Sequence, residues 1–286
     1  NYSLADRYIL SATVRRDGSL KFGANNKWGT FPSVSAAWRI IDESFMVGAK
    51  NFMDELKLRV GYGVSGNQSG LSPYQSMQLF GSSGLYWDNG AWHTAYAVSQ
   101  NANPNLKWET TSMFNVGVDF SFLNARLSGT IEYYDKLTKD LLYSYPVPVP
   151  PYMYSSMVAN VGSMMNRGVE LMLTGDVIRK KDFRWTLSFN AAHNHNEIVS
   201  LSNEEFTTSE IKTGNAWVRG GSSNTTHIIK EGYQVGQFYG PECLGIDENG
   251  LYIINDMVDG KPGFTITDYT TIGEAQPLLT YGISNN

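Results

Sequence analysis

Two histidines one residue apart, His193 and His195, are spaced for metal chelation. On a β-strand, residues i and i+2 point to the same face, so the two imidazoles would lie side by side. No further ligands can be named, because Cys243 is the only cysteine and stands far along the chain. A polar strand end explains the pair more simply, and we expect neither a metal nor a cofactor.

Carboxylates give two more candidate sites. Asp119 and Glu132 flank a tight turn at 123–125, across which a glycosidase-type acid pair could form. A later stretch is rich in oxygen ligands, but it lacks the Gly and Glu offsets of an EF-hand. Turns at Asn-Gly and Asp-Gly explain it without a cation; its four oxygen-bearing residues are Asp247, Asn249, Asp256 and Asp259.

Catalytic signals in the sequence are weak. It contains no G-x-S-x-G elbow, no H-E-x-x-H and no phosphate-binding glycine loop, so we expect no enzyme. Aromatic side chains in two predicted loops are better candidates, since aromatic faces stack on sugar rings or peptide side chains. The expected ligand-binding residues are Tyr86, Trp87, Trp92, Tyr152 and Tyr154. Packing of these rings on one another is the alternative.

The composition limits the elements that could position such residues. The 286 residues include 22 Lys and Arg against 27 Asp and Glu, a formal charge of −5, so we expect no nucleic-acid partner. Charged residues make up only 17% and aromatic residues 13%, which favours extended β-structure. No apolar run approaches about 18 residues, which excludes a transmembrane helix but leaves a β-barrel open.

Alternation with a period of two is the main structural signal. It runs through seven segments: 8–14, 34–40, 56–64, 114–122, 127–133, 169–173 and 183–191. One face of these segments carries no charge. The interleaved face carries the charged residues Arg39, Lys57, Arg59, Asp119, Glu132, Glu170 and Arg184.

Two architectures produce this alternation, a soluble β-sandwich and a transmembrane barrel. The segments are long for a sandwich, and aromatic residues lie near their ends, as in an interfacial girdle. Connections also alternate between long ones (15–33, 65–107 and about 135–165) and shorter ones (41–55, 123–125 and 174–182). The sequence therefore predicts an all-β, antiparallel barrel whose charged residues face the lumen, with roughly eight or nine strands by the alternation rule. A carbohydrate-binding surface sandwich is the alternative.

Several segments resemble the barrel of SusC/RagA-type TonB-linked outer-membrane transporters. They are DRYILSATVRRDG at 6–18, NKWGTFPSVSAAWRI at 26–40, LKLRVGYGVSGNQ at 56–68, the stretch from Asn103 to Leu142, NVGSMMNRGVEL at 160–171 and EGYQVGQFYG at 231–240. The resemblance covers most of the chain, in order.

The resemblance implies a fold and a set of partners. Residues 1–286 would be part of a 22-stranded barrel, located in the outer membrane of a bacterium and surrounded by its lipid. We expect the plug, the N-terminal extension, the TonB-contacting segment and the final strands to lie outside this sequence, and the isolated chain not to transport. The implied partners are a SusD-like surface lipoprotein, an inner-membrane TonB complex and an oligosaccharide, polysaccharide or peptide substrate.

Overall fold

The computed structural model describes residues 1–203, 207–216, 224–255 and 268–286. This part of the chain is mostly strand, with two short 3-10 helices at Ile40–Asp42 and Ser44–Asn51. Its strands are β1 (Tyr2–Leu4), β2 (Tyr8–Gly18), β3 (Trp28–Arg39), β4 (Met53–Asn67), β5 (Leu79–Asp88), β6 (Ala91–Gln100), β7 (Glu109–Phe122), β8 (Leu127–Lys139), β9 (Leu142–Pro146), β10 (Ser156–Asn160), β11 (Ser163–Arg179), β12 (Arg184–Ser200), β13 (Glu210–Ala216), β14 (Asn224–Lys230), β15 (Gln237–Pro241), β16 (Cys243–Ile246), β17 (Tyr252–Ile254), β18 (Tyr269–Glu274) and β19 (Thr280–Asn285). Within the described ranges, no helix has the length and apolar character needed to cross a membrane.

A nine-stranded antiparallel sheet dominates the molecule, in the order β1-β2-β3-β4-β7-β8-β11-β12-β19. Its register keeps the predicted faces together across neighbouring strands. Leu58 lies opposite Val118, which lies opposite Ile131. On the other face Lys57 lies opposite Asp119. The predicted strand positions and their alternation are therefore confirmed.

The apolar face of this sheet is uncovered. Leu10 is 50% exposed and Ile131 47%, values that a second packed sheet would reduce nearly to zero. Rings mark the edges of the apolar band: Tyr8 stacks with Trp38 at one end, and the Arg16 guanidinium lies 5.2 Å from the centre of the Trp28 ring at the other. An uncovered apolar face bordered by rings is the arrangement of a lipid-facing surface and does not fit the sandwich alternative.

Connections within the large sheet alternate strictly between its two ends. One end, here called the short-turn end, carries residues 40–52, 123–126 and 180–183. The opposite end, here called the long-loop end, carries 19–27, 68–108, 140–162 and 201–279. Leu123, Asn124 and Ala125 all have positive φ, which closes the tightest turn. The predicted alternation is confirmed for the later connections, where 68–108 and 140–162 contrast with 123–126 and 180–183. The first connection, predicted as a long one over 15–33, is wrong: it is 19–27, shorter than 40–52 at the other end, because β2 and β3 extend further than the alternation indicated.

The long-loop end has a hydrophobic core of its own. Its buried members are Phe22, Phe31, Leu71, Leu106 and Trp108. The Trp108 ring lies 4.7 Å from that of Phe22 and 5.4 Å from that of Phe31, between centroids. A Cβ at Gly66 would come within 2.0 Å of the Phe31 ring, so this close approach requires glycine. The loops are thus folded into a packed structure above the strands.

Smaller sheets project from the same end. β5 and β6 form a hairpin, β9 pairs with β10, β16 pairs with β17, and a four-stranded sheet has the order β13-β14-β15-β18. Predicted loops 65–107 and 135–165 therefore contain four strands that alternation did not reveal. Asn89 and Gly90 both have positive φ at the turn of the β5–β6 hairpin, where Asn-Gly is the expected pair.

A carboxylate fastens the short-turn end. Glu43, between the two 3-10 helices, accepts hydrogen bonds from the Tyr8 hydroxyl at 2.5 Å, the Trp38 indole at 3.0 Å and the Arg7 guanidinium at 2.9 Å. The bonds from Tyr8 and Trp38, followed by the charge of Arg7, lower the pKa of Glu43. The group joins β2, β3 and the turn through one side chain.

This clamp predicts a sensitivity to acid. A carboxyl whose pKa is lower in the folded state stabilises the fold above its unfolded pKa of about 4.3, and that contribution is lost as the pH falls through the folded-state value. Unfolding of the full-length protein in detergent, measured between pH 7 and pH 3, should therefore show a smaller acid loss in Glu43→Gln than in wild type. The exposed Glu248→Gln should follow wild type. Identical profiles for wild type and Glu43→Gln would contradict the clamp.

The two faces of β11 give a second prediction. Leu171 points to the apolar face and the neighbouring Met172 to the polar face, where it is 57% exposed. An arginine in hydrocarbon costs roughly 2–4 kcal/mol at the midplane of a barrel. Leu171→Arg should thus lose about that much unfolding free energy in lipid vesicles, whereas Met172→Arg should lose little. Equal losses would mean that the faces are wrongly assigned.

Candidate functional site

Four of the predicted charged residues meet in one network on the polar face. The Arg59 guanidinium donates to Asp119 at 2.8 and 3.0 Å and to Glu132 at 3.3 Å. Lys57 pairs with Asp119 at 2.9 Å. Three strands, β4, β7 and β8, are thereby connected through side chains as well as through their backbones.

Neutral groups complete this network. The Thr130 hydroxyl donates to Asp119 at 3.1 Å, and the Asn115 amide donates to Glu132 at 3.3 Å. Gly117 lies on β7 directly opposite Arg59 on one side and Glu132 on the other, and a Cβ there would come 2.9 Å from an Arg59 nitrogen. The absence of a side chain at Gly117 gives the guanidinium space to cross β7.

The other three predicted residues lie apart from the network. Arg39 pairs with Asp42 at 3.0 Å in the short turn. Arg184 binds the buried Asp176 across the β11–β12 hairpin, at 2.9 Å to Oδ1 and 2.8 Å to Oδ2. Glu170 lies directly opposite Glu132, and it has no ion-pair partner in the part of the chain that the structure describes.

A hollow of about 500 Å³ opens on this face beside the network. Its polar lining includes Thr130, Glu132, Glu170, Ser188 and Asn190. The lining offers hydroxyls, amides and carboxylates, which suit a hydrated surface. The Arg59 guanidinium lies between Asp119 and Glu132, in the space that the scissile bond of a glycosidase substrate would need.

Aromatic residues of the β5–β6 hairpin gather at its tip. Trp87 and Trp92 form an edge-to-face pair with centroids 5.3 Å apart, and Tyr86 lies 5.5 Å from His93. Trp87 is 58% exposed and Trp92 65%. The hairpin thus presents rings to the surroundings at its outermost point.

Tyr152 and Tyr154 belong to a different part of the long-loop end. The backbone around Tyr154 is fixed by Asn101, whose amide donates to its carbonyl at 2.6 Å and whose oxygen accepts its N–H at 3.1 Å. Asn101 follows β6 at the base of the hairpin, so roughly 30 Å of strand separates it from Trp92. The structure does not gather the five predicted aromatic residues into one place.

The histidine pair and the acidic stretch have local partners. His193 bonds the Leu278 carbonyl, and His195 lies 3.7 Å from Glu197. Across the described ranges, no group of three or more His, Cys, Asp or Glu is placed to hold a metal. The backbone N–H groups of Leu251 and Asn249 donate to the Asp247 carboxylate and form an Asx turn. These bonds lower the pKa of Asp247. Asp256 and Asp259 lie outside the described residues.

Sequence reasoning missed the asparagines that join the loops. Asn103 donates to the Val158 carbonyl at 2.8 Å, and Asn160 donates to the Lys107 carbonyl at 2.7 Å. Together with Asn101 these side chains attach the loop after β6 to the β9–β10 hairpin. The run Asn101-Ala-Asn103 was a possible signal, since such residues bond backbone groups in irregular segments.

Comparisons with known proteins place this architecture in a family. The family model for the TonB dependent receptor-like β-barrel matches residues 1–271. The chain belongs to this family, and it forms an arc of an outer-membrane β-barrel.

Particular relatives are similar over nearly the whole chain. TonB-dependent receptor SusC of Bacteroides thetaiotaomicron is 38% identical over 268 residues, which are 93% of this chain and 26% of the relative. TonB-dependent receptor P39 of Formosa agariphila is 34% identical over 281 residues, 96% of this chain and 25% of the relative. The chain therefore spans about a quarter of the length of these relatives.

Solved structures show the same fold. The chain superposes on the RagAB peptide transporter with a TM-score of 0.83 and 29% identity, covering 100% of this chain and 30% of that one. The RagAB peptide importer in its open-open state gives a TM-score of 0.82 and 28% identity, with the same coverage. These relatives are receptors and transporters, which agrees with the paucity of catalytic motifs.

The network around Arg59 predicts a measurable loss of stability. In Arg59→Met, Glu132 loses its cationic partner and Asp119 keeps Lys57 as its one remaining cationic partner. The full-length protein should therefore lose about 1–3 kcal/mol of unfolding free energy in detergent. Arg15→Met, which breaks the exposed Arg15–Asp17 pair, should cost under about 1 kcal/mol. Similar losses in the two variants would argue against the network as a joint between strands.

Proposed function

We propose that this chain forms part of the wall and mouth of an outer-membrane importer. The importer takes up oligosaccharides, polysaccharides or peptides with energy from a TonB complex, and a SusD-like surface lipoprotein covers its mouth. One observation carries the proposal: a single nine-stranded arc has an uncovered apolar face, an ion-paired polar face and its three longest connections, 68–108, 140–162 and 201–279, at one end. The similarity to SusC and to the RagAB peptide transporter supports it.

In this proposal the polar face lines the lumen. Its charged residues are Arg39, Lys57, Arg59, Asp119, Glu132, Glu170 and Arg184, most of them paired within the wall. Paired charges hydrate the surface while offering few free charges to trap a passing substrate. Transport would then be a conformational process with no covalent step in this segment.

The long-loop end would face the extracellular side, since outer-membrane barrels carry their longer loops there. The tip rings Tyr86, Trp87 and Trp92 would contact either the substrate or the lipoprotein. Their exposure and their position at the end of a hairpin support a binding role. Tyr152 and Tyr154 would form a second contact region, near the base of the hairpin.

The tip of the hairpin provides the test. Replacing Trp87 and Trp92 together by Ala in the full-length transporter should reduce uptake of its nutrient several-fold, because stacking surface is removed. Assembly, measured by the migration of the folded protein on gels, should not change. Tyr96→Ala, on the same hairpin and 71% exposed, is the matched control.

Three outcomes are informative. Uptake unchanged in the double variant would reject the binding role of the tip. Uptake lost together with co-purification of the lipoprotein would assign the rings to the lid. Uptake that persists in cells without TonB would reject the proposed function itself.

A further inference from the structure

Two strand edges line one cleft at the long-loop end. The cleft has a volume of about 500 Å³. Residues 143–146 of β9 line one side, and the other side is lined by Thr207 and Thr208, which precede β13, and by residues 210–212 at its start. β9 pairs only with β10, and β13 is the outermost strand of its four-stranded sheet. Both strands therefore present an edge that is not paired to another described strand.

In an antiparallel pair, alternate residues bond the partner strand, and the residues between them direct their N–H and C=O groups away from it. The Val147 N–H donates to Ser155 and the Val161 N–H donates to Leu141, so odd-numbered residues of β9 bond β10 and Ser144 faces away. The Glu231 N–H donates to Ser209, so odd-numbered residues of β13 bond β14. Glu210 and Lys212 therefore direct their backbone groups away from β14.

The surroundings of the cleft are fixed. The Ser202 side chain bonds the backbone N–H and carbonyl of Thr208, just before β13. The Thr208 hydroxyl donates to the Glu210 carbonyl at 2.9 Å, so this carbonyl already has a partner. The Lys212 ammonium lies 5.1 Å from the centre of the Tyr239 ring and 3.5 Å from Glu210. The amides of Ser144 and Lys212 keep no partner among the described residues.

We propose that this cleft binds an extended peptide as an added β-strand between β9 and β13. Unpaired strand edges offer alternating N–H and C=O groups, which match a peptide backbone and not a sugar ring. An extended residue fills about 4.8 by 10 by 3.3 Å, so the cavity holds about three residues. Tyr143 on one wall and the Glu210–Lys212 pair on the other would contact the alternate side chains. The inference rests on the proposed function only in placing the cleft on the outer surface.

Proline substitutions test the two edges directly. Proline removes an N–H but is tolerated on an outward-facing edge, whereas alanine removes only the side chain. The probe is a fluorescent, terminally blocked heptapeptide of alternating Thr and Val, bound to the full-length protein in detergent. Ser144→Pro or Lys212→Pro should weaken its affinity about tenfold, through the lost bond and the steric clash. Ser144→Ala should change affinity less than about twofold.

A second measurement covers the case in which a proline variant fails to fold. Wild-type protein is titrated with the same peptide N-methylated at either odd or even positions. A strand between two edges points its N–H groups alternately to β9 and to β13, so each methylated peptide should bind about tenfold or more weakly than the unmethylated one. Equal binding of all three peptides, equal effects of Pro and Ala at position 144, or full displacement of the peptide by maltoheptaose would overturn the proposal. TonB-dependent uptake is measured separately, so failure of the cleft and failure of the importer give different results.

Discussion

The backbone hydrogen bond determines how this chain can be built. In hydrocarbon an unpaired N–H or C=O costs several kcal/mol, so strands cross a membrane only when each is bonded on both sides. The inner strands of the nine-stranded sheet meet this demand: β4, for example, pairs with β3 on one side and with β7 on the other, where the pairing runs from Met53 and Phe122 to Asn67 and Glu109. Alternation follows, because every strand must then present one face to lipid and the other to water.

The same constraint explains where charges occur. A lipid-facing position such as Ile131 tolerates no charge, whereas its neighbour Glu132 lies on the face where Arg59 and Asn115 can reach it. Ion pairs there link adjacent strands laterally, at right angles to the chain direction. The polar face is therefore a structural element in its own right and supports the sheet that the backbone bonds define.

The parts that could be predicted from sequence are those governed by this local rule. Alternation located β7 at 114–122 against an observed Glu109–Phe122, and it separated Lys57 and Arg59 from Leu58 correctly. The β5–β6 hairpin was missed because Gly81, Ser82 and Gly84 and the bulges around them interrupt the period, although Asn89-Gly90 marked its turn. The bond between Asn101 and Tyr154 joins residues far apart in sequence, and no local pattern encodes such a contact.

The long-loop end follows a different rule because it lies outside the hydrocarbon. Loops in water gain no support from lipid, so they need a buried core, and Phe22, Leu106 and Trp108 provide one. Asparagine side chains then satisfy the irregular backbone that packs around it. Small sheets formed under these conditions keep unpaired edges, which the barrel cannot tolerate but an aqueous surface can. Recognition of an extended ligand is therefore possible at this end of the molecule and excluded from the lipid-facing wall.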